Sequence, residues 1–399
     1  MPLYNPFRYG NPVPPEQFKG RKSELRRIIG RIVNAGESTS VTGPFRCGKT
    51  SLLQYVSDSD LKSNLYGDRA PQLIFSYLDV ATLSDECDQA QFWNHALETF
   101  QDYINMGDIA PSLSEAYQNA QQNHFGNYAL EKLIAEIKKA NLRLVLLLDG
   151  FDAFLHHKVL NSTEFFGGLR QRSSLSKGAL ALLITGNTTL TQLNQKTQHF
   201  NRTGSPYFNF MDEVILGPLS EIEIDKLLHL GDEYFTENDR HFIKDIAGGH
   251  PYLLQLAASI LWEIYEAEHE KNAIERQRQA GRVVYDHVKE QLNMTWEDWD
   301  KNTQRIFLAV ALVPLDKELK IQHVDIKSVN EEAKRYKKEL DNLERYGFLK
   351  KDNTGNWQVY PGIFLRFISE RMKPKYRGKQ PEENIPKVSK FSFLKKLGL

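Results

Sequence analysis

Eight consecutive residues, Gly43-Pro-Phe-Arg-Cys-Gly-Lys-Thr50, constrain this chain more than any other stretch of it. They satisfy G-x-x-x-x-G-K-[ST] at every specified position, and the flanks suit the pattern: Thr39 to Thr42 reads as a short strand, and the residues from Ser51 onward read as a helix. In such a strand-loop-helix the glycines let backbone N–H groups curl around an anion. The helix N-terminus adds partial positive charge, the lysine reaches β- and γ-phosphates, and the Ser/Thr hydroxyl is offered to a divalent cation. Gly43, Pro44, Phe45, Arg46, Cys47, Gly48, Lys49, Thr50 and Ser51 are therefore the candidate nucleotide-binding residues. Cys47 occupies a free position, either as a small structural residue or as a redox-sensitive one.

A phosphate loop of this kind needs a parallel sheet behind it. LIFSYLDV (Leu73 to Val80) is a second strand candidate, and Leu142 to Leu148 and Ala179 to Thr185 are two more. The last two are apolar without alternation, as expected of strands covered on both faces. Glu213 to Leu216 completes a fifth. Helical stretches separate these strands, including a Gln/Asn-rich one between Ser84 and Ala140. The expected fold class is α/β: a P-loop parallel-sheet domain over residues 21–218, after an extended, Pro-rich lead-in over 1–20. From Pro218 the texture turns helical, giving a helical lid over 219–294. Helices followed by YGFLKKDNTGNWQVY, two short strands about an Asn-Thr-Gly turn, predict a winged-helix domain over 295–370.

A cation at Thr50 requires a carboxylate at the end of a neighbouring buried strand. Asp149, closing LRLVLLLDG, fills that place, and the competing reading is an N-cap of the next helix. Asp152 is the candidate to orient or deprotonate an attacking water, or else a first-turn helix acid. Lys49, Asp149 and Asp152 form the catalytic set, and Thr50 with Asp149 the metal set. Thr185 ends the next strand, where it either senses a γ-phosphate or is a buried, satisfied threonine. Arg170 and Arg172 are the candidates for an arginine supplied to a neighbouring subunit, against ordinary surface roles.

Composition narrows the partners. The 399 residues hold 51 Lys+Arg against 51 Asp+Glu, so no general field attracts nucleic acid or an anionic membrane. Any such binding has to be local. The final segment 371–399 carries nine basic residues against Glu382 and Glu383 and reads as a basic flexible tail. The stretch Glu331 to Lys351, the candidate recognition helix, mixes seven basic with five acidic residues, which suits a solvated face better than a phosphate-tracking one. Two cysteines, Cys47 and Cys87, make neither a disulfide framework nor a zinc cluster and fit a cytoplasmic setting. The N-terminus has no export pattern, and the longest apolar run, Leu144 to Leu148, is far short of a membrane span.

Taken in order, these pieces resemble the STAND group of AAA+-like signal-transducing ATPases, prokaryotic and related to the NACHT proteins. Phe18, Gly20, Arg21, Glu24 and Leu25 are similar to the group's F-x-GR-x-x-E-L lead-in. GPFRCGKTSLL resembles its Walker A, LLLDGFD its Walker B, and Gly249-His250-Pro251 its G-x-P element. The resemblance implies that Phe18, Gly20, Arg21 and Pro251 lie against the nucleotide, with the proline on adenine. It implies ATP or ADP with Mg²⁺ as ligands, hydrolysis of ATP to ADP and phosphate, and a nucleotide-controlled switch acting through self-assembly or protein partners. Two departures stand out. The place of the second Walker B acid is Ala153, and VYPGIFLRF stands where many members have Met-His-Asp. An AAA+ ATPase acting on DNA through its winged helix or tail, and a nucleotide-binding scaffold without turnover, are the alternatives. No membrane partner is expected.

Overall fold

The computed structural model describes residues 4–106, 110–200, 204–267, 272–319 and 334–376. The chain divides into two compact units, one of Pro12–Pro44 with Gly48–Leu216, the other of Met1–Asn11, Phe45–Cys47 and Gly217–Leu399.

In the first unit five strands, β1 (Thr39–Thr42), β2 (Leu73–Asp79), β3 (Arg143–Asp149), β4 (Leu180–Gly186) and β5 (Asp212–Ile215), form one sheet in the order β2-β3-β4-β1-β5. All four pairings are parallel. Parallel neighbours need crossovers, and the helices that provide them cover both faces, which is why β3 and β4 are apolar without alternation. Leu144 to Leu148 are at most 1% exposed. At about 2 kcal/mol per buried aliphatic side chain, this strand is among the main anchors of the unit.

The order of strands decides where chemistry collects. The strand feeding the phosphate loop, β1, lies between β4 and β5, and β4 separates it from β3. The C-terminal ends of β1, β4 and β3 therefore open on one edge, where ligands bind in parallel α/β sheets. Helix α1 (Lys22–Asn34) precedes β1 and buries Ile28 and Ile32, while α2 (Lys49–Ser57) follows the loop. Beyond β3, the 3₁₀ turn Phe151–His156 is pinned by Phe151 and Phe154, whose rings pack 5.2 Å apart, with Phe154 4.7 Å from Phe165. That aromatic anchorage gives Asp152 a rigid base.

In the second unit, helices α3 (Glu221–Leu228), α4 (Glu237–Ala247), α5 (Pro251–Ala267), α6 (Ala273–Asp298) and α7 (Lys301–Leu319) are followed by α8 (Lys337–Arg345), the antiparallel hairpin β6 (Leu349–Lys351) with β7 (Trp357–Val359), and α9 (Ile363–Tyr376). Residues 219–294 and 295–370, read apart in the sequence, share one hydrophobic core that runs from Ile224 to Met372. Trp299 is central to it, 5.0 Å from the Phe348 ring and 5.9 Å from Phe364. At the hairpin turn the Asp352 carboxylate accepts the Thr354 and Asn356 N–H groups, as turn aspartates do.

Three boundaries differ from the sequence reading. The lead-in divides: Phe7 stacks on Phe235 at 5.5 Å and Asn5 donates to Ser259 Oγ at 2.8 Å in the helical unit, whereas Pro12 onward belongs to the sheet unit. The helix expected over 331–351 ends at Arg345, since Leu349–Lys351 are strand; 331–333 lie outside the described residues. The tail expected from 371 begins inside α9, where Met372 is buried and Arg371 bridges to Glu297 at 3.0 Å. Its stretch 377–399 lies outside the described residues. Among the described residues, no helix is long and apolar enough to cross a membrane.

Candidate nucleotide and metal site

The loop after β1 hands over to α2 at Gly48, whose φ is +98°. A Cβ there would meet nothing within 4 Å, so the backbone angle and not space demands glycine. No side chain caps the helix start, the end that a helix offers to an anion. The Lys49 ammonium is held at the loop by three oxygens, Gly43 O, Pro44 O and Asn187 Oδ1, each at 2.9 Å. Ser51 Oγ accepts the Val13 N–H at 2.9 Å, tying the lead-in to α2. Phe45, Arg46 and Cys47, three of the four free positions of the loop, are grouped with the helical unit; Phe45 is exposed, Arg46 has a φ of +59°, and Cys47 is buried.

Beside the loop, the Thr50 hydroxyl donates to Asp149 Oδ2 at 2.7 Å. The same oxygen accepts the Tyr77 phenol at 3.0 Å, and Oδ1 accepts the Thr185 hydroxyl. Asp149, only 8% exposed, is thus a carboxylate ringed by three hydroxyls. Burial, and then the neighbouring Asp149 and Asp79 carboxylates, push the Tyr77 phenol above its ordinary pKa, so it stays a proton donor. A hydroxyl next to a carboxylate is the hard-oxygen donor set that Mg²⁺ takes from a protein when phosphates provide the rest. No cluster of three or more His, Cys, Asp or Glu side chains capable of holding a metal occurs among the described residues. The donors therefore fit a nucleotide-carried cation and not an all-protein cage.

The other sequence candidates fall in different places. Asp152 accepts the backbone N–H groups of Asn187 and Thr188 and so fastens the turn after β3 to the exit of β4. Gly186 makes room for this approach, since a Cβ there would lie 2.7 Å from Asp152 Oδ2. Thr185 is fully buried; it accepts Gly150 N–H at 3.0 Å while donating to Asp149, and so supports the carboxylate. Arg172 is not available to a neighbouring subunit: its guanidinium is buried over the Trp93 ring, 5.4 Å from the centroid, and bonds Asn127. Arg170 is half-buried and donates to Ser205 O at 2.9 Å. In the lead-in, Phe18 stacks on Tyr55 of α2 at 4.8 Å, Gly20 has a positive φ, and Arg21 is buried and paired with Glu24 at 3.3 Å. Pro251 is the first residue of α5 in the helical unit.

Sequence reasoning missed two site residues. Asn187, which holds Lys49, lies just past the strand end where Thr185 was preferred, and the polar residue beyond the last strand position was its signal. In the sequence Tyr77 reads only as a β-former within LIFSYLDV.

A family model described as an AAA-like domain matches residues 18–322 of this chain. The chain belongs to the AAA-like domain family. No curated protein matches it. Among solved structures, this AAA-like protein is similar to the Walker-type ATPase of Pyrococcus abyssi, with a TM-score of 0.53 and 14% identity over 90% of this chain and 98% of that one. That likeness shows a shared P-loop α/β fold. The ORC2 protein of Aeropyrum pernix, seen in ADPNP-ADP complexes, matches at a TM-score of 0.44 and 13% identity, covering 92% of this chain and 97% of that one. A STAND protein with a tetratricopeptide repeat sensor from Pyrococcus horikoshii matches at 0.37 and 15%, covering 92% of this chain and 44% of that one. The last two are too distant to bear on the fold of this AAA-like chain.

Proposed function

We propose that this AAA-like protein is a STAND-type switch that binds ATP with Mg²⁺, hydrolyses it, and signals by a nucleotide-dependent change of assembly or of a protein-binding surface. The observation that carries the reading is the Thr50–Asp149 pair at 2.7 Å, beside the uncapped start of α2 and the oxygen-held Lys49. Three functions needed for triphosphate chemistry, an anion cradle, an ammonium and a hydroxyl–carboxylate pair, meet at one sheet edge. The α2 N-terminus and the loop N–H groups hold the phosphates, and Lys49 exchanges its loop oxygens for β- and γ-phosphate oxygens. Thr50 and Asp149 would hold Mg²⁺, and the chemistry it would supply there is neutralisation of phosphate charge. Asp152 keeps the Asn187 loop, and with it the Lys49 contact, in register, and is the candidate to orient water. The helical unit is read as a lid continuing into a winged helix.

A protein-directed output is supported by α8, where Lys337, Lys338 and Arg345 are balanced by Glu339, Asp341 and Glu344. Such a helix repels a phosphate backbone as much as it attracts one. The expected result is a shift to a larger species on size-exclusion chromatography with light scattering when Mg²⁺ and a non-hydrolysable ATP analogue replace ADP. Identical profiles with both nucleotides reject the change of assembly.

One observation favours a second reading, an AAA+ ATPase acting on DNA. Lys350 and Lys351 are exposed on the hairpin, each over an aromatic ring, Tyr360 at 4.0 Å and Trp357 at 4.6 Å. Under that reading, affinity for random duplex DNA falls with log[salt] at a slope of roughly −2 or steeper, one unit for each phosphate contacted, and Lys350→Ala with Lys351→Ala flattens it. A slope near zero removes this alternative.

A further inference from the structure

We propose that Tyr77 is a positioning residue of the cation site, holding the Asp149 carboxylate so that the lone pairs of Thr50 face the metal. The inference rests on the ATP–Mg²⁺ reading above and extends it to a residue on a strand remote from the phosphate loop. The Thr50 hydroxyl has one proton and gives it to Asp149 Oδ2, which leaves its oxygen lone pairs for a cation. Where those lone pairs point is set by where the carboxylate sits.

Two hydroxyls besides Thr50 determine that position. Thr185, from β4, holds Oδ1, and Tyr77, from β2, holds Oδ2 at 3.0 Å. The carboxylate is thereby braced from the strands on both sides of β3. The register permits this: Tyr77 is level with Leu147, and Asp79 with Asp149, so the Tyr77 side chain stands on the face that carries Asp149, one step back along the neighbouring strand. A long aromatic side chain ending in a hydroxyl spans such a step, where serine or threonine would fall short. The ring is 40% exposed, so core packing alone is a weak reason for its presence.

Loss of a hydrogen bond to a metal-ligating carboxylate commonly changes metal affinity by about tenfold or more. The test is Tyr77→Phe, which deletes one oxygen and keeps the ring. Binding of a non-hydrolysable ATP analogue is followed by calorimetry while Mg²⁺ is titrated, and again in excess EDTA. The expected result is that the Mg²⁺ concentration for half-maximal tightening rises roughly tenfold, while metal-free affinity and the melting temperature without Mg²⁺ match wild type. Tyr117→Phe, which removes a phenol bonded to Gln101 at 3.2 Å elsewhere in the same unit, serves as control and leaves the Mg²⁺ dependence unchanged. A wild-type Mg²⁺ curve for Tyr77→Phe overturns the role of Tyr77 alone, and so does an equal loss of metal-free binding, which signals general damage. Nucleotide binding by the wild-type protein that ignores Mg²⁺ overturns the underlying site reading together with this one.

Discussion

Lys49→Ala is expected to weaken ATP binding on the order of a hundredfold, the largest effect on function of any single change in the loop. A hydrogen bond from a charged donor contributes about 1.5–3 kcal/mol, and an ammonium between two phosphates makes more than one. At 1.4 kcal/mol per factor of ten, the loss of about 3 kcal/mol gives that change. The fold should survive. Lys49 is half-buried, and its partners Gly43 O, Pro44 O and Asn187 Oδ1 lie at the loop and the sheet edge, outside the hydrophobic core. Calorimetric titration with the analogue measures the change, and an affinity within twofold of wild type would falsify the phosphate-binding reading.

The largest effect on stability is expected in the other unit, at Asp239 of α4. This carboxylate is fully buried and accepts from Thr236 N–H and Oγ1, from Tyr265 Oη at 2.6 Å and from Gln277 Nε2 at 3.0 Å, joining α4, α5 and α6. Asp239→Ala removes the acceptor and leaves those donors facing an apolar gap. At about 1–3 kcal/mol per orphaned donor, partly relieved by water at the half-buried ones, the unit should lose about 3–5 kcal/mol. Burial raises the Asp239 pKa, but the hydrogen bonds from Tyr265, Gln277 and Thr236 outweigh it and hold the group below the ordinary aspartate value. The sign follows: a depressed folded-state pKa stabilises above the unfolded value, and that stabilisation is lost as pH falls through the folded-state value. The gap in melting temperature between wild type and Asp239→Asn should therefore be full at pH 7 and shrink below about pH 4. A gap independent of pH removes the carboxylate's charge from the account.

Much of the sheet was legible because its signals are local. Non-alternating runs such as Leu144 to Leu148 report coverage on both faces, and the β1 loop spells out its own geometry through Gly48 and Lys49. All five strands were found within a residue or so of their observed ends, and the parallel arrangement followed from the helices between them. The roles that the sequence left open are those on which burial, which one-dimensional patterns do not report, bears. Arg172 looks like any charged residue in FFGGLRQR until Trp93 and Asn127 close over it. Thr185 and Asn187 differ by two positions in the sequence. The first is buried inside β4, whereas the second lies beyond the last strand residue and reaches Lys49.

The sequence by itself determined the kind of site: a phosphate loop of eight residues at a strand-to-helix junction, with an aspartate at the end of a second buried strand. Each part depends on neighbours within a few residues, so no long-range information was needed. Only the tertiary structure decided which side chains serve that site. The order β2-β3-β4-β1-β5 brings Tyr77, Asp149, Thr185 and Thr50 together from positions up to 135 residues apart in the chain. Hydrogen bonds among such residues depend on strand order and register, which are set by the packing of the whole sheet and not by any one segment.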